Sequence, residues 1–222
     1  MIFVSFSGID GAGKSSQIGN LQARLGTAGA GVCVISFWDD IATFRSLRER
    51  ASYALFKGER GVGSPERPIA RRDKNVSSWY MLPIRLVLYV LDALHLNWVV
   101  IRALHARAEV VIFDRYIYDQ FANLPLEGAA ARTFVRCLLC VVPRPDVAYL
   151  LDANPSEARK RKPEYPLEFL RKNRERYLVM ARLASMKVID PQEAVEVERQ
   201  IWREMATRLP MEALTLPSLS DL

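Results

Sequence analysis

A glycine-rich segment near the N-terminus has the residue types and the spacing that hold phosphate groups. Residues 8–15 read GIDGAGKS, which fits the pattern G-x-x-x-x-G-K-[ST]. In such a loop the glycines let successive backbone N–H groups turn towards phosphate oxygens, and the following helix adds the positive end of its dipole. Lys14 can reach the outer phosphates of a triphosphate, and the hydroxyl of Ser15 can hold Mg²⁺.

The flanking segments favour a phosphate loop over a glycine-rich turn before an ordinary surface helix. The apolar run IFVSF precedes the loop, and Ile18, Leu21 and Leu25 follow it with helical spacing. A strand, a loop and a helix in this order are the context that the motif requires. The predicted phosphate cradle consists of Gly8, Gly11, Ala12, Gly13, Lys14, Ser15 and Ser16.

The third predicted strand ends in an acidic residue. The segment EVVIFD spans residues 109–114 and is followed by Arg115 and Tyr116. An aspartate at the end of a strand beside a phosphate loop is a common outer ligand of magnesium, although many strands also end in Asp as a turn residue. We expect Asp114 to support the metal together with Ser15.

The elements that carry these residues alternate between strand and helix. Apolar strands are predicted at 2–6, 32–38, 109–114, 146–152 and 186–190. Helical patterns are found at 39–56, 81–107, 127–141, 155–162 and 167–184, and the 81–107 helix is expected to be largely buried. A last helix is predicted from the spacing of Val195, Val197, Ile201 and Met205. Alternation with short connections indicates a parallel sheet with right-handed crossovers. With 222 residues, half of them hydrophobic, the chain is expected to form one domain over residues 1–209, followed by a tail at 210–222.

The net charge of +6 is concentrated in two segments. Residues 57–74 carry six basic and three acidic residues, and residues 159–176 carry eight and three. A uniformly basic surface would favour nucleic acid, whereas two basic segments beside a phosphate loop favour a small polyanionic ligand. Either segment alone could also be an ordinary solvated face.

Neither export nor membrane insertion is expected from the sequence. The start MIFVSF lacks the basic lead-in of a secretory signal, and charged or polar residues interrupt the apolar stretch 81–101. Three cysteines, an odd number, fit reduced thiols in a cytoplasm. Cys137 and Cys140 form a C-x-x-C inside an apolar run, where we expect buried packing and not a zinc or redox site.

Four segments together resemble the thymidylate kinase family: FSGIDGAGKSSQ, VIFDRY (111–116), PDVAYLLDANPSEARKR (145–161) and LEFLRKNRERYL (167–178). The resemblance covers about residues 2–209. It implies a P-loop nucleoside-monophosphate-kinase fold, an α/β fold with a five-stranded parallel sheet flanked by helices. It also implies ATP as donor, Mg²⁺, a nucleotide acceptor, a mobile basic lid at 153–166 and a cytoplasmic homodimer.

The resemblance also assigns roles to single residues. Asp10 matches the acidic loop residue that faces the acceptor, and Arg115 matches an arginine that contacts the phosphates of both substrates. Some members place an arginine inside the phosphate loop, where this chain has Gly11. In that subset the catalytic cation comes from the lid, so Arg159 and Arg161 are the candidates here, and catalysis of phosphoryl transfer is mainly positioning and charge stabilisation.

The chain departs from the family pattern on the acceptor side. Tyr89 could stack on a base, but Ala93 stands where a base-reading arginine is expected, and Phe37-Trp38-Asp39-Asp40 replaces a phosphate-gripping arginine after the second strand. A core aromatic is an equally good interpretation of Tyr89. The acceptor-side candidates are Asp10, Trp38, Arg45, Arg85, Tyr89, Arg115, Tyr116 and Gln120, with Arg48 and the 58–75 loop as further sources of positive charge.

Three functions are therefore weighed from the sequence. The leading one is ATP-dependent phosphorylation of dTMP or a related monophosphate. The alternatives are a kinase of the same fold for another small acceptor, and a nucleotide-binding regulatory protein without activity. A switch GTPase is disfavoured, because there is no N-K-x-D motif and the third strand is followed by D-R-Y-I instead of D-x-x-G.

Overall fold

The computed structural model describes residues 1–43, 81–105 and 108–209. The strands are β1 (Ile2–Ser7), β2 (Val32–Ser36), β3 (Val110–Asp114), β4 (Val147–Leu151) and β5 (Lys187–Ile189). The helices are α1 (Lys14–Thr27), α2 (Met81–Leu104), α3 (Ile117–Phe121), α4 (Ala129–Leu139), α5 (Pro155–Arg161), α6 (Leu167–Ala184) and α7 (Ala194–Ala206). Arg45, Arg48, the predicted 58–75 loop and the tail 210–222 lie outside the described residues.

The strands form one parallel sheet in the order β2-β3-β1-β4-β5. β1 is central, and its pairing places Phe6 opposite Asp114 of β3 and Ser7 opposite Leu150 of β4. The carboxyl ends of β1, β3 and β4 therefore meet at one edge of the sheet. This confirms the predicted α/β fold with a five-stranded parallel sheet.

The sheet is covered on both faces, since side chains alternate between two hydrophobic clusters along each strand. In β3, Val110 and Ile112 belong to the cluster that includes buried residues of α1 and α7. Val111 and Phe113 belong to the larger cluster on the opposite face, with α2, α3, α4 and α6. The result is a three-layer arrangement that fixes the strand ends carrying the polar residues.

The predicted second strand is wrong at its C-terminal end. β2 ends at Ser36, and Phe37–Ile41 forms a short π-helical segment instead of the last residues of a strand. The backbone N–H of Ser36 donates to the carboxylate of Asp40 at 2.7 Å, a local side-chain bond that competes with continuation of the strand. Of the helix predicted at 39–56, only residues 39–43 are described.

The long helix α2 is present, but the expectation that it is largely buried is wrong. One face, with Tyr89, Ala93 and Leu96, packs in the larger core cluster. The opposite face is an exposed apolar stripe, which consists of Ile84, Val87, Leu94, Trp98, Ile101 and Leu104. By length and composition Leu82–Leu104 could cross a membrane, and it is the single such helix within the described residues.

The region after β3 differs from the prediction in two ways. A short helix that was not predicted, α3, directly follows Tyr116, and the helix expected at 127–141 is shorter, Ala129–Leu139. Cys137 and Cys140 are exposed, which corrects the expectation of buried packing. They project from the solvent side of α4, whose buried side chains are Val135, Leu138 and Leu139.

The C-terminal half follows the predicted pattern closely. α5 starts at Pro155 behind Asn154, whose side chain accepts the N–H of Ser156 at 2.9 Å. This is the arrangement expected for an N-cap followed by proline. α6 has the predicted bounds, β5 lies within one residue of its predicted range, and α7 contains the apolar residues predicted for the last helix.

Candidate active site

The candidate site lies at the edge of the sheet where β1, β3 and β4 end. The phosphate loop follows β1, Asp114 and Arg115 stand at the end of β3, and Asp152 follows β4. Ligands of open parallel sheets bind outside the carboxyl ends of the strands, beside the point where the strand order reverses. The sheet order thus brings together residues that are more than 100 positions apart in sequence.

The phosphate loop has the backbone that its glycines make possible. Gly8, Gly11 and Gly13 have φ values of 147°, 86° and 89°, which side chains of L-residues rarely allow. Lys14 is buried, and its Nζ donates to the carbonyls of Gly8 at 2.7 Å and Ile9 at 3.0 Å. The lysine therefore fastens the loop from within, while Ser15 and Ser16 are exposed at the start of α1.

Gly11 contacts the helix of the predicted lid. A Cβ added at this residue would lie 2.3 Å from the carbonyl oxygen of Ala158 in α5. Ala158 is fully buried, so the loop and α5 pack backbone against backbone. Any side chain at this position, an arginine included, would collide with the backbone of α5.

Arg115 is held between two carboxylates. Its backbone is left-handed, with φ 66°, and its N–H donates to the carbonyl of Phe6 at 3.1 Å. The Nη2 atom donates to Asp10 at 2.5 Å, and Nη1 lies 3.5 Å from Asp119. The predicted pair Asp10 and Arg115 is therefore brought together, with Asp119 as an additional partner.

Burial and charge act in opposite directions on this cluster. Burial alone would lower the pKa of Arg115, but the carboxylates of Asp10 and Asp119 outweigh it and raise the pKa above its ordinary value. Burial also raises the pKa of Tyr177 well above its ordinary value, and Asp119 adds to this. Arg115 is therefore a permanent cation, and the hydroxyl of Tyr177 keeps its proton.

A bidentate ion pair stands at the base of α5. Arg174 of α6 donates through Nε and Nη2 to the two oxygens of Asp152, at 2.7 and 2.6 Å. The Asp152 side chain is 6% exposed, and planar fork pairs of this kind are strong and geometrically specific. Together with the Gly11 contact, this pair fixes the position of α5, on which Arg159 and Arg161 are both exposed.

Ser15 and Asp114 carry the two oxygen ligands that the sequence predicts for a divalent cation. No hydrogen bond or ion pair of the Ser15 hydroxyl or the Asp114 carboxylate is found in the described part of the chain. Mg²⁺ is commonly bound by one or two protein oxygens together with substrate phosphates and water. No cluster of three or more His, Cys, Asp or Glu side chains suited to a metal occurs among the described residues.

The predicted acceptor-side residues fall into two groups. Tyr89 is buried against Phe121, with ring centroids 6.1 Å apart, and Tyr116 donates its hydroxyl to the carbonyl of Pro143 at 2.7 Å. Both rings are core residues in this structure.

The second group consists of Trp38, Arg85 and Gln120, none of which is exposed. Trp38 and Arg85 are half-buried, and Gln120 is buried with its Nε2 lacking a hydrogen-bond partner in the described structure. Ala93, where an arginine was expected, is 1% exposed and belongs to the core. Among the described candidates, the amide of Gln120 is therefore the polar group best suited to contact an acceptor.

Sequence reasoning missed four buried or half-buried residues of this site: Ser7, Asp119, Asp152 and Tyr177. Asp152 ends its strand as Asp114 does, and that signal could have drawn attention to it. Asp119 and Tyr177 lie 58 positions apart in different helices, so no local pattern links them.

The contact between Gly11 and α5 predicts a difference between two glycines with the same backbone. Gly11→Ala and Gly13→Ala both impose a left-handed alanine, which costs about 1–2 kcal/mol. Only Gly11→Ala meets another backbone, because nothing lies within 4 Å of a Cβ at Gly13. We expect Gly11→Ala to lose roughly 1–3 kcal/mol more, measured by chemical unfolding without nucleotide. Equal losses would show that α5 does not rest on Gly11.

Comparisons with known proteins match this chain to thymidylate kinases. The family model described as thymidylate kinase matches residues 67–201. The chain is 32% identical over 200 residues to a probable thymidylate kinase of Pyrobaculum aerophilum, covering 86% of this chain and 88% of the relative. It is 29% identical over 211 residues to a probable thymidylate kinase of Thermococcus kodakarensis, covering 90% and 95%.

A solved structure supports the fold. The crystal structure of thymidylate kinase from Ehrlichia chaffeensis superimposes with a TM-score of 0.57 at 20% identity, covering 92% of this chain and 98% of that chain. The sheet order, the phosphate loop with its helix and the sequence relatives lead to one conclusion: this chain belongs to the thymidylate kinase family.

Proposed function

We propose that this protein is a thymidylate kinase-like enzyme that transfers the γ-phosphoryl group of ATP to dTMP or a closely related monophosphate. The observation that carries the proposal is the convergence of Lys14, Asp10 and Arg115 at one edge of the sheet, with Arg115 held 2.5 Å from Asp10. We assign the kinase to one domain, residues 1–209, with residues 153–166 as its lid.

The residues divide the work of phosphoryl transfer. The backbone of Gly8–Ser16 receives the donor phosphates, and Lys14 exchanges the carbonyls of Gly8 and Ile9 for phosphate oxygens. Arg115 stabilises negative charge between donor and acceptor, and Asp10 orients the acceptor. Because phosphoryl transfer needs mainly positioning and charge stabilisation, this set together with a lid arginine suffices.

Magnesium fits the donor set of the site. Ser15 would hold the ion directly and Asp114 through its outer shell, with the nucleotide supplying the remaining oxygens. When bound, Mg²⁺ neutralises charge on the phosphates. The protein contributes only these two oxygens, which suits a metal that arrives with the nucleotide.

A second candidate function is favoured by the apolar surroundings of Ala93. Without an arginine at that position the base-reading contact of the family is missing. The second candidate is therefore a kinase of the same fold that acts on another small acceptor. We give precedence to a pyrimidine monophosphate because the buried Nε2 of Gln120 is a donor without a hydrogen-bond partner among the described residues, and such a donor suits a base carbonyl.

Steady-state turnover of ATP with dTMP, dUMP, dCMP and dGMP tests this function. We expect turnover with ATP and dTMP, and an advantage of dTMP over dUMP of less than about tenfold in kcat/KM, since a single amide reads a carbonyl that both bases share. dCMP and dGMP should be poorer. Strong selectivity for dTMP over dUMP would show that another group reads the methyl side, and turnover of none of the four would favour the small-acceptor kinase.

Lys14→Ala is the negative variant for this assay. It should abolish transfer because the lysine supplies charge to the phosphates. Lys187→Ala, which breaks a surface ion pair between the edge strand β5 and Glu204 of α7, is its matched control and should keep normal turnover. Wild-type turnover in Lys14→Ala would contradict the role of the phosphate loop.

The lid arginines are expected to act mainly in the transition state. Arg159→Ala or Arg161→Ala should lower kcat on the order of 10²-fold while changing the KM for ATP little. Lys160→Ala removes a cation from the same helix that pairs with Glu157 at 2.8 Å, and it should keep kcat near normal. If both arginine variants match Lys160→Ala, the catalytic cation comes from elsewhere, with the 58–75 loop as the next candidate.

We further propose that the exposed stripe of α2 joins two copies of this chain in a cytoplasmic homodimer. The stripe runs along a helix of 24 residues, and an apolar face of that length is unusual on a monomer. Trp98 is held in place on it by stacking on His95 at 5.6 Å and by Arg102 at 4.6 Å, as in aromatic anchors of interfaces. A single helix face can pair with itself about a two-fold axis.

A membrane is a weaker occupant of this face. The other side of α2 packs in the protein core through Tyr89, Ala93 and Leu96, and Asp92 is fully buried while accepting from Thr43 at 2.7 Å. The helix would have to leave the core to span a bilayer. Reduced cysteines at all three positions are consistent with a cytoplasmic setting.

Light scattering after gel filtration tests the dimer. The wild-type protein should have twice the mass of a 25.2 kDa chain, and Leu94→Glu should shift it to monomer by burying a charge in the interface. Val195→Glu, at an equally exposed residue on α7, should stay dimeric. A monomeric wild-type protein, or one that binds lipid vesicles, would refute the self-association.

A further inference from the structure

We propose that Asp119 is a positioning residue for Arg115: a buried carboxylate on α3 that fixes the guanidinium for the transferred phosphoryl group. The inference rests on the proposed kinase function and adds a residue to it. Asp119 is 4% exposed.

Both oxygens of Asp119 are engaged, and by groups from different elements. Oδ2 accepts from the Ser7 hydroxyl at 2.6 Å and from the backbone N–H of Tyr116 at 3.1 Å. Oδ1 accepts from the Tyr177 hydroxyl at 2.7 Å and lies 3.5 Å from Nη1 of Arg115. The carboxylate thereby joins the end of β1, the turn after β3 and helix α6.

The three neutral donors hold the carboxylate, and the carboxylate in turn faces the arginine. A buried charge is stable only when it is paired and hydrogen-bonded, and Arg115 is the positive partner of Asp119 in the described structure. Arg115 itself is reached by two carboxylates, Asp10 at Nη2 and Asp119 at Nη1. Its orientation is therefore set from two sides.

The two carboxylates differ in how firmly they are held. Asp10 lies in the phosphate loop and is the residue that we assign to orienting the acceptor. Asp119 is tied to β1, to the turn after β3 and to α6, and the three donors that hold it lie outside the phosphate loop. When Asp10 turns to the acceptor, Asp119 remains to hold the guanidinium, so its contribution falls on the catalysed step more than on ground-state binding.

A purely structural role makes a different prediction. Asp119 stands in the first turn of α3 and accepts the N–H of Tyr116, as residues at this position of a capping box do. If it only stabilises the helix, its loss should lower stability and the amount of active enzyme equally with and without Arg115. If it acts through Arg115, its effect should disappear once Arg115 is removed.

A double-mutant cycle on the full chain separates these roles. Asp119→Asn keeps the shape and removes the charge, and it is measured in the wild-type and in the Arg115→Ala background with ATP and dTMP. We expect kcat to fall roughly 10- to 100-fold in the wild-type background, with the KM for ATP changed less than about threefold. In the Arg115→Ala background the same change should alter kcat by less than about threefold.

Controls keep the result interpretable. Ile201→Ala, in the core cluster of α1 and α7, lowers stability far from the site, and it should leave kcat unchanged in both backgrounds. If Asp119→Asn does not fold, Tyr177→Phe takes its place in the cycle, since it withdraws one donor and keeps the carboxylate. Its smaller loss should also vanish without Arg115.

Equal losses in the two backgrounds, or a normal kcat in Asp119→Asn, would overturn the inference while leaving the kinase function intact. Absence of turnover in the wild-type protein with every acceptor would instead refute the proposed function. The positioning role rests on that function and would be refuted with it.

Discussion

The ion pair between Asp10 and Arg115 is the interaction on which the rest of the site depends. It joins two residues 105 positions apart, one in the phosphate loop and one at the end of β3, and it does so with little exposure to water. Charges in such surroundings persist only when they are compensated. The neighbouring elements therefore supply the compensation: α3 brings Asp119, β1 brings Ser7, and α6 brings Tyr177.

The cations of the site are already satisfied by the protein itself. Lys14 donates to two carbonyls of its own loop, and Arg115 contacts two carboxylates. A ligand must therefore replace existing partners, and only a ligand with several phosphate oxygens offers a comparable set. This exchange favours polyphosphates over simple anions, because a single chloride or monovalent acid cannot compensate all the groups it would release.

Local features of the site could be predicted from the sequence, and non-local ones could not. Eight consecutive residues determine the phosphate loop, and an apolar run ending in Asp114 marks the end of β3. The role of Asp119 depends on its hydrogen bonds with Ser7 and Tyr177. These residues come close to it only through the sheet order and the packing of α6. The exposed face of α2 was missed for a related reason, since hydropathy alone does not tell whether an apolar side chain faces the core or another surface.

Side-chain bonds over short range explain the remaining differences. The carboxylate of Asp40 captures the N–H of Ser36 and ends β2 earlier than its apolar pattern suggests. The cysteines of α4 lie in an apolar run, but the helix turns them away from Val135 and Leu138, the residues that it buries. The hydrophobicity of that segment predicted the helix correctly, but it did not show which of its side chains face the core.

The central place of β1 in the sheet has a consequence for biosynthesis. Its partners are β3, about 110 residues later, and β4, about 140 residues later. While the chain is made, the apolar strand IFVSFS has no sheet neighbour until those residues leave the ribosome. The phosphate loop thus takes shape late, and the nascent protein carries an unpaired hydrophobic edge for most of its synthesis, which is the kind of segment that chaperones shield.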